Sequence, residues 1–415
     1  MSGLVPLDEA VRYVLDACAP FPGRRLTIAD ALGCVTTEAI SATDDVPGFA
    51  NTAMDGYAVR ADDCAGASPE QPVRLQVIAT LAAGRAPTCA VGPGQAVRIM
   101  TGAPMPPGAD SVVMVELTER AGANEPAGAR DIVLVKAPVH LGSHIRPAGD
   151  DLAAGQLVFA AGTELGPGHL GVLASLGLDR VTVHPKIRVG IVSTGDELVS
   201  GTGPLQSGQI RETNRPILLG LARLAGCTAL DMGTAPDNEA AIAQAIMSAL
   251  ATCDAVITSG GVSMGDFDWT KAVLDRLTGG NMRWMQVAIR PAKPFAFGMV
   301  GDKPVFALPG NPVSAMVSFE CFARPALRAM MGHSNLGRPA VDALAPEGLP
   351  RSPDGKLHLV RVRASVAPDG RHHVVSTGGQ ASHHLFAMAL ANALALVPDG
   401  HGVEPGGTVR TWLLA

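Results

Sequence analysis

The spacing of apolar side chains changes character along this chain, and each change predicts a different kind of structure. Near the N-terminus, Val11, Val14, Leu15 and Cys18 share one stripe of an amphipathic helix opened by Leu7 and Asp8. A second, short helix is predicted over 27–33 and stopped by Gly33. From 41 to about 146 short β-prone runs take over (74–78, 96–100, 111–117, 131–135), separated by Gly and Pro, so a small β-rich domain is expected. Between Gly84 and Gly108 ten of twenty-five residues are Gly or Pro, which makes that stretch a loop with backbone N–H groups free for a ligand or water.

After Lys186 strands and helices alternate. An apolar strand spans 187–193, and Asn214 and Pro216 open a helix that runs to about Leu224 and stops at Gly226. A second strand covers 228–232; then Asp237 or Asn238 caps a helix with Ile242, Ala245, Ile246, Ala249 and Leu250 on one face. Further buried strands fall at 255–258 and 305–308, so right-handed crossovers should build a doubly wound parallel sheet with helices on both faces. The rhythm then fades into short strands at 357–365, 372–377, 393–397 and 409–414, which suits a small β-barrel or sandwich. The expected class is α/β multidomain: an N-terminal helical segment, a β-rich insert, the doubly wound sheet and a C-terminal small β-barrel.

Composition narrows the function classes. A length of 415 residues suggests roughly three domains. With 47% hydrophobic and 17% charged residues the chain has the material for packed cores. Thirty-two basic against thirty-eight acidic side chains give a net charge of -6, so no global positive field draws nucleic acid or an anionic membrane. Seven widely separated cysteines without C-x-x-C spacing argue against a disulfide framework or structural zinc and fit a reducing, cytoplasmic compartment. The N-terminus has no basic segment followed by an apolar stretch, and the most apolar tract, 385–397, is short of the ~20 residues that a membrane span needs.

Three strand-to-helix junctions share one design: VSTGDELV at 192–199, ITSGGVSMGDFDW at 257–269 and ALPGNPVSAMV at 307–317. In an open parallel sheet such junctions gather at the carboxyl edge, where helix N-termini present unpaired N–H groups to an oxyanion. Gly195, Gly260, Gly261 and Gly310 permit close backbone approach, Ser193, Thr194, Ser259, Ser263 and Ser314 add hydroxyl donors, and Pro309, Asn311 and Pro312 complete the third turn. Ordinary tight turns with capping hydroxyls would read the same way. The junctions also carry Asp196, Glu197, Asp266 and Asp268, with Asp237 at a neighbouring helix start. Carboxylates beside a phosphate cradle repel the ligand unless a hard cation lies between them, so magnesium held by Asp196, Glu197 and Asp268 is the economical reading; plain N-capping is the alternative. Arg290 and Lys293, in AIRPAKPF, sit among prolines and could neutralise an anion; two solvated surface cations would look the same.

The insert holds a second constellation. Asp55 precedes Gly56 and Tyr57 in NTAMDGYA, a pairing that a hairpin turn would also explain, and Thr101-Gly102 closes an apolar strand in RIMTGAPMP. In RPAGDDL, Arg146 stands near Asp150 and Asp151, the spacing of an interdomain ion pair.

NTAMDGYA, RIMTGAPMP, RPAGDDL, STGDEL, SGGVSMGDFD, RPAKPFAFG and LPGNPVSA, in this order, resemble the molybdopterin molybdenumtransferase family, whose eukaryotic counterpart is the C-terminal domain of gephyrin. The resemblance implies an L-shaped homodimer with four regions: 1–40 with 147–184, 41–146, 185–334 and 335–415. It implies magnesium-dependent insertion of molybdenum from molybdate into the dithiolene of adenylylated molybdopterin, with release of AMP, and transient contact with molybdopterin adenylyltransferase and acceptor molybdoenzymes. Carried over position by position, the family's acids fall on Asp55, Asp151, Glu197, Asp237 and Asp268, its hydroxyl on Thr101 and its basic residues on Arg146, Arg290 and Lys293. Ser382, in GGQASHH, matches a position that approaches the partner subunit's site, and Asp55, Thr101 and Arg146 would close the molybdate side across the dimer interface. Two positions depart from the family pattern: Ala292 replaces a usual Gly, and Gln286 a frequent Lys. A stand-alone adenylyltransferase would need neither insert nor barrel, and a non-catalytic carrier of the pterin would bind without releasing AMP.

Overall fold

A computed structural model describes residues 3–121, 131–261 and 269–414. They form two compact units, one drawn from Met1–Glu38, Gly162–Pro167 and Arg180–Ala415, the other from Ala39–Ala161 and Gly168–Asp179.

The first unit opens with helix α1 (Leu7–Asp16), whose Ala10 and Val14, followed by Cys18, turn into the core, while Asp8 and Glu9 in the first turn offset the helix dipole. The short helix expected over 27–33 does not form. Arg24–Thr27 is a strand paired antiparallel with Arg180–His184. The Thr27 hydroxyl then donates to Asp30 Oδ2 at 2.6 Å and accepts from the Asp30 N–H at 3.2 Å, and the chain turns instead of coiling. A side chain that bonds locally competes with the helix, and seven residues are too few to nucleate one alone.

Beyond it lie β1 (Arg188–Thr194), α2 (Asn214–Leu224), β2 (Thr228–Ala235), α3 (Glu239–Thr252), β3 (Ala255–Ser259), α4 (Trp269–Leu277), β4 (Arg283–Gln286), β5 (Pro294–Val300), β6 (Lys303–Leu308) and α5 (Pro312–Ser318). The strands order as β2-β1-β3-β6-β5-β4; the first four are parallel, and β5 and β4 are antiparallel additions. Apolar runs without alternation suit strands covered on both faces. Ile191, Ile257 and Leu308 face one core with Leu218 of α2 and Val313 of α5, whereas Val192, Val256 and Ala307 face another with Ile246 of α3 and Leu274 of α4. This is the doubly wound sheet that the sequence predicts.

The C-terminal strands are β7 (Ala340–Ala345), β8 (Leu357–Val366), β9 (His372–Ser376), β10 (Ala393–Val397) and β11 (Gly407–Leu413). The ring β8-β9-β7-β11-β10 closes through β8–β10 pairing, giving a five-stranded barrel filled by small side chains such as Ala343, Ala345, Val362, Val374 and Ala395. The apolar tract 385–397 is broken into a helical turn, Leu385–Ala389, and β10. The segment Ile289–Arg290 pairs in parallel with Leu357 and His358 of β8, which stitches the β4–β5 connection to the barrel.

The second unit centres on a mixed sheet ordered Ser111–Met114, Gly56–Val59, Gln95–Ile99, Val73–Leu81, Ile132–Val135 and Thr118–Ala121. The strand predicted over 111–117 ends at Met114, and Val115–Leu117 is a 3-10 turn. Among the described residues no helix is long and apolar enough to cross a membrane, and all seven cysteines are free.

Candidate functional site

Strand register brings the three junctions to one edge. Ser193 at the end of β1 lies opposite Ser259 at the end of β3, which lies opposite Leu308 at the end of β6. The Gly260 N–H donates to the Leu308 carbonyl at 3.1 Å. Gly260 has φ +100°, and a Cβ there would stand 2.7 Å from the Thr194 carbonyl oxygen, so only glycine fits. The Gly195 N–H donates to the Ala235 carbonyl at 3.3 Å, tying the first junction to the end of β2. Asn214, the buried first residue of α2, donates through Nδ2 to Ser259 Oγ at 2.8 Å and to the Gly310 carbonyl at 2.6 Å, and so couples the second junction to the third. Its Oδ1 and the Ser193 hydroxyl are buried without a hydrogen-bond partner among the described residues. Thr194 accepts from the Thr270 hydroxyl at 3.4 Å on the opposite face. Gly261 follows Gly260 with φ +68°, whereas Ser263, Asp266 and Asp268 lie outside the described residues.

The acids beside this edge are organised by backbone. Asp196 Oδ1 accepts from the Asp237 N–H at 2.9 Å, and Asp237 Oδ2 accepts from the Asp196 N–H at 3.3 Å. Asn238 is the cap of α3, accepting from the Ala241 N–H at 2.8 Å, so Asp237 is not spent on capping. The Glu197 carboxylate lies against Gly195, where a Cβ would come within 2.6 Å of Oε2. Among the described residues no group of three or more His, Cys, Asp or Glu side chains closes into a metal cage. Paired carboxylates with exposed oxygens suit magnesium, which takes one or two protein carboxylates and completes its shell with water and phosphate.

The β4–β5 connection carries the cations. Gln286 ends β4 opposite Pro294, and the Val287 N–H donates to the Lys293 carbonyl at 2.7 Å, closing the loop around Arg290. Ala292, inside that loop, is buried with φ +73°, a left-handed conformation that favours glycine. Lys293 lines a cavity of about 440 Å³ with Pro309, Asn311, Ser314, Lys356 and Ser382. The Val313 N–H donates to the Ser382 carbonyl at 3.1 Å, so Ser382 lies against the start of α5. Pro312 is the first residue of α5, and Asn311, at the cap position, makes no side-chain cap bond.

A second cavity, of about 560 Å³, shares Arg290, Pro291, Asp354 and Gln380 with the first. In its wall stands Arg361, fully buried; Nη2 donates to the carbonyls of Gly379 at 2.8 Å and Ala381 at 3.2 Å, while Nε and Nη1 have no partner among the described residues. Burial pushes the guanidinium pKa down to about 10, which leaves it charged at neutral pH. Sequence reasoning missed Arg361. The available signal was an arginine two residues after Leu359 in the apolar strand LHLVRVRASV, on the face that Leu359 buries. Asp354 is the carboxylate common to both cavities, 2.6 Å from Arg351 Nη2, 2.9 Å from Lys356 Nζ and 3.1 Å from His358 Nε2. Desolvation pushes its pKa up, but the bonds from Lys356 and His358 outweigh it and hold the carboxyl at about 2.

In the second unit, Asp55 Oδ1 accepts from both the N–H and the hydroxyl of Thr101, at 2.7 and 2.6 Å, and these bonds lower its pKa. Gly56 is no hairpin turn: it opens a strand, and a Cβ there would lie 2.0 Å from the Val113 carbonyl oxygen. Arg146 pairs in strand register with Asn51 and makes no ion pair with Asp150 or Asp151 among the described residues. The Asp151 N–H donates to the Val46 carbonyl at 3.0 Å.

Comparison with known proteins agrees with this arrangement. The family described as "MoeA N-terminal region (domain I and II)" matches residues 5–177, "Probable molybdopterin binding domain" matches 190–329, and "MoeA C-terminal region (domain IV)" matches 349–414. A Mycobacterium tuberculosis (strain H37Rv) protein named Molybdopterin molybdenumtransferase 2 is 39% identical over 410 residues, covering 98% of each chain. A Haemophilus influenzae molybdopterin molybdenumtransferase is 38% identical over 411 residues, again covering 98% of each. The crystal structure of the molybdopterin biosynthesis moeA protein from Pyrococcus horikoshii OT3 superposes with a TM-score of 0.78 at 30% identity, covering 99% of this chain and 100% of that one. Likeness that runs through the insert, the doubly wound sheet and the barrel alike leaves one conclusion: the chain belongs to the molybdopterin molybdenumtransferase family.

Proposed function

We propose that this protein, working as a homodimer, transfers molybdenum from molybdate into the dithiolene of adenylylated molybdopterin, with magnesium-dependent cleavage of the phosphoanhydride and release of AMP. The observation that carries the reading is Arg361: a buried, charged guanidinium beside a cavity, two of whose nitrogens have no hydrogen-bond partner among the described residues. Burying such a group without a counter-charge is costly, and a bound tetrahedral dianion offsets that cost with charge-assisted hydrogen bonds. Molybdate has that shape and charge. Arg361 in the wall of one cavity, and Lys293 and Ser382 in the wall of the adjoining one, are the donors that would receive it. The backbone around Gly195, Gly260 and Gly261, with the turn Pro309, Gly310, Asn311, Pro312 and Ser314, takes the adenylyl phosphate and the pterin. Ser193 and Thr194 end the strand that presents that backbone, and Ser259 is tied to it through Asn214.

Asp196, Glu197 and Asp237 would hold magnesium, with Asp268 joining them on the strength of the sequence resemblance. The ion supplies positive charge to phosphate oxygens as the phosphoanhydride breaks. Arg290 offsets the charge left on the departing AMP phosphate. Asp55, Thr101, Arg146 and Asp151 of the second unit belong to the same proposal through the sequence resemblance, Asp55 as a carboxylate kept ionised by Thr101.

AMP release from adenylylated molybdopterin, with molybdate and magnesium present, tests the proposal. The wild type should release AMP, and Glu197→Gln and Arg361→Met should not. Molybdate should raise the melting temperature of the wild type but not of Arg361→Met, whose far-ultraviolet circular dichroism should be unchanged. Consumption of ATP with molybdopterin in the absence of molybdate would favour an adenylyltransferase instead.

A further inference from the structure

The two cavities are not uniformly cationic. Arg290, Lys293, Arg351, Lys356 and Arg361 line one or both, yet Asp354 stands in the wall they share. Its four basic neighbours are held with unequal firmness. Arg351 also donates to the carbonyls of Lys356 at 2.7 Å and Pro398 at 3.0 Å and to the Asp399 carboxylate at 2.8 Å, which makes it a strut of the loop. His358 is pushed below its ordinary pKa by burial, so it adds little charge at neutral pH. Arg290 and Lys356 are different. Arg290 touches Asp354 only at 3.8 Å, with its side chain 61% exposed, and Lys356 bonds only to Asp354 among the described residues.

We propose that Asp354 is a resident counter-ion that parks Arg290 and Lys356 at the cavity wall and yields them to an incoming oxyanion, so that the site exchanges its anion rather than trapping it. The inference rests on the reading that these cavities hold an oxyanion. A ligand gains only the difference between its own contacts and those it displaces. In the empty protein Asp354 already pairs with Arg290 and Lys356, which lowers the free energy of the empty state. A dianion must draw them away and then sit near a like charge, and both effects weaken its hold. Asp354 is a positioning residue in this scheme and touches no reacting atom.

Binding of molybdate alone to the full chain, measured by equilibrium dialysis, tests the proposal. Asp354→Asn should bind molybdate roughly tenfold more tightly, the change that removal of one nearby like charge produces. A carboxylate that merely held the loop in shape would give unchanged or weaker binding, and either result in a folded Asp354→Asn protein overturns the idea. Should that variant not fold, Lys356→Met provides a second reading: it should weaken molybdate binding several-fold, and wild-type affinity would overturn the proposal. Arg361→Met separates the two levels. If it binds molybdate like the wild type, the oxyanion reading itself fails; if it loses binding while Asp354→Asn gains none, only the counter-ion proposal fails.

Discussion

Asn214 Nδ2 lies 2.8 Å from Ser259 Oγ, so the first residue of one helix grips the last residue of the central strand. The second amide hydrogen goes to the Gly310 carbonyl at 2.6 Å, and one side chain thereby spaces two of the three junctions. Asn214→Ala leaves a buried hydroxyl and a carbonyl without their donor, and should cost about 2 kcal/mol of stability. Chemical denaturation checks this. The same variant should raise KM more than it lowers kcat, because the junctions lose their mutual register rather than a reacting group.

Ala292 offers a change in the opposite direction. Its φ of +73° costs a side-chain-bearing residue about 1–2 kcal/mol, part of which glycine returns through a looser unfolded chain. Ala292→Gly should therefore stabilise the protein by about 0.5–1 kcal/mol, read as a higher denaturation midpoint at unchanged slope. Ala292→Val, branched at Cβ, should destabilise it.

His333 should make the fold sensitive to mild acid. Burial, and then the nearby Arg328 guanidinium, push its pKa below 6.5, although Glu164 at 3.0 Å pulls the other way. The unfolded chain therefore takes up the proton first. The stability contributed by neutral His333 is complete above about pH 6.5 and is lost as pH falls through the lower folded value. Urea midpoints at about pH 7.5 and about pH 5.5 should differ more for the wild type than for His333→Gln.

Thr101 should set the ionisation of Asp55. Thr101→Val removes the hydroxyl bond at 2.6 Å and keeps the N–H bond, so the Asp55 pKa should rise toward the ordinary carboxylate value. The acid limb of the pH-rate profile should move to higher pH, whereas an unmoved limb would remove Asp55 from the rate-determining ionisation.

The carboxyl-edge site was legible because its glycines and hydroxyls sit between uninterrupted apolar strands and helix starts, and that local pattern survives folding. What stayed hidden depends on distant partners. Asn214 looks like any helix opener until Ser259 and Gly310, 45 and 96 positions away, are brought against it. Arg361 looks like a solvated strand residue until the face it shares with Leu359 is packed outside the barrel and the carbonyls of Gly379 and Ala381 are brought against it. The turn after Thr27 departs from the helical pattern for the converse reason: a pair of local side-chain bonds outweighs helix propensity over a segment too short to resist them. At the start of α3 the choice between Asp237 and Asn238 rested on a single hydrogen bond, which only coordinates reveal.

The two-residue seam between Ile289–Arg290 and the barrel strand bears on how this protein can be engineered or can diverge. The barrel is no detachable accessory, since the strand that closes it is also the rail on which Arg290 rides. A chain shortened ahead of Ala340 would lose the strand neighbour that aligns Arg290. Transplanting the barrel alone would carry off Arg361 and leave Lys293 behind. Inheritance of the two parts has to be joint.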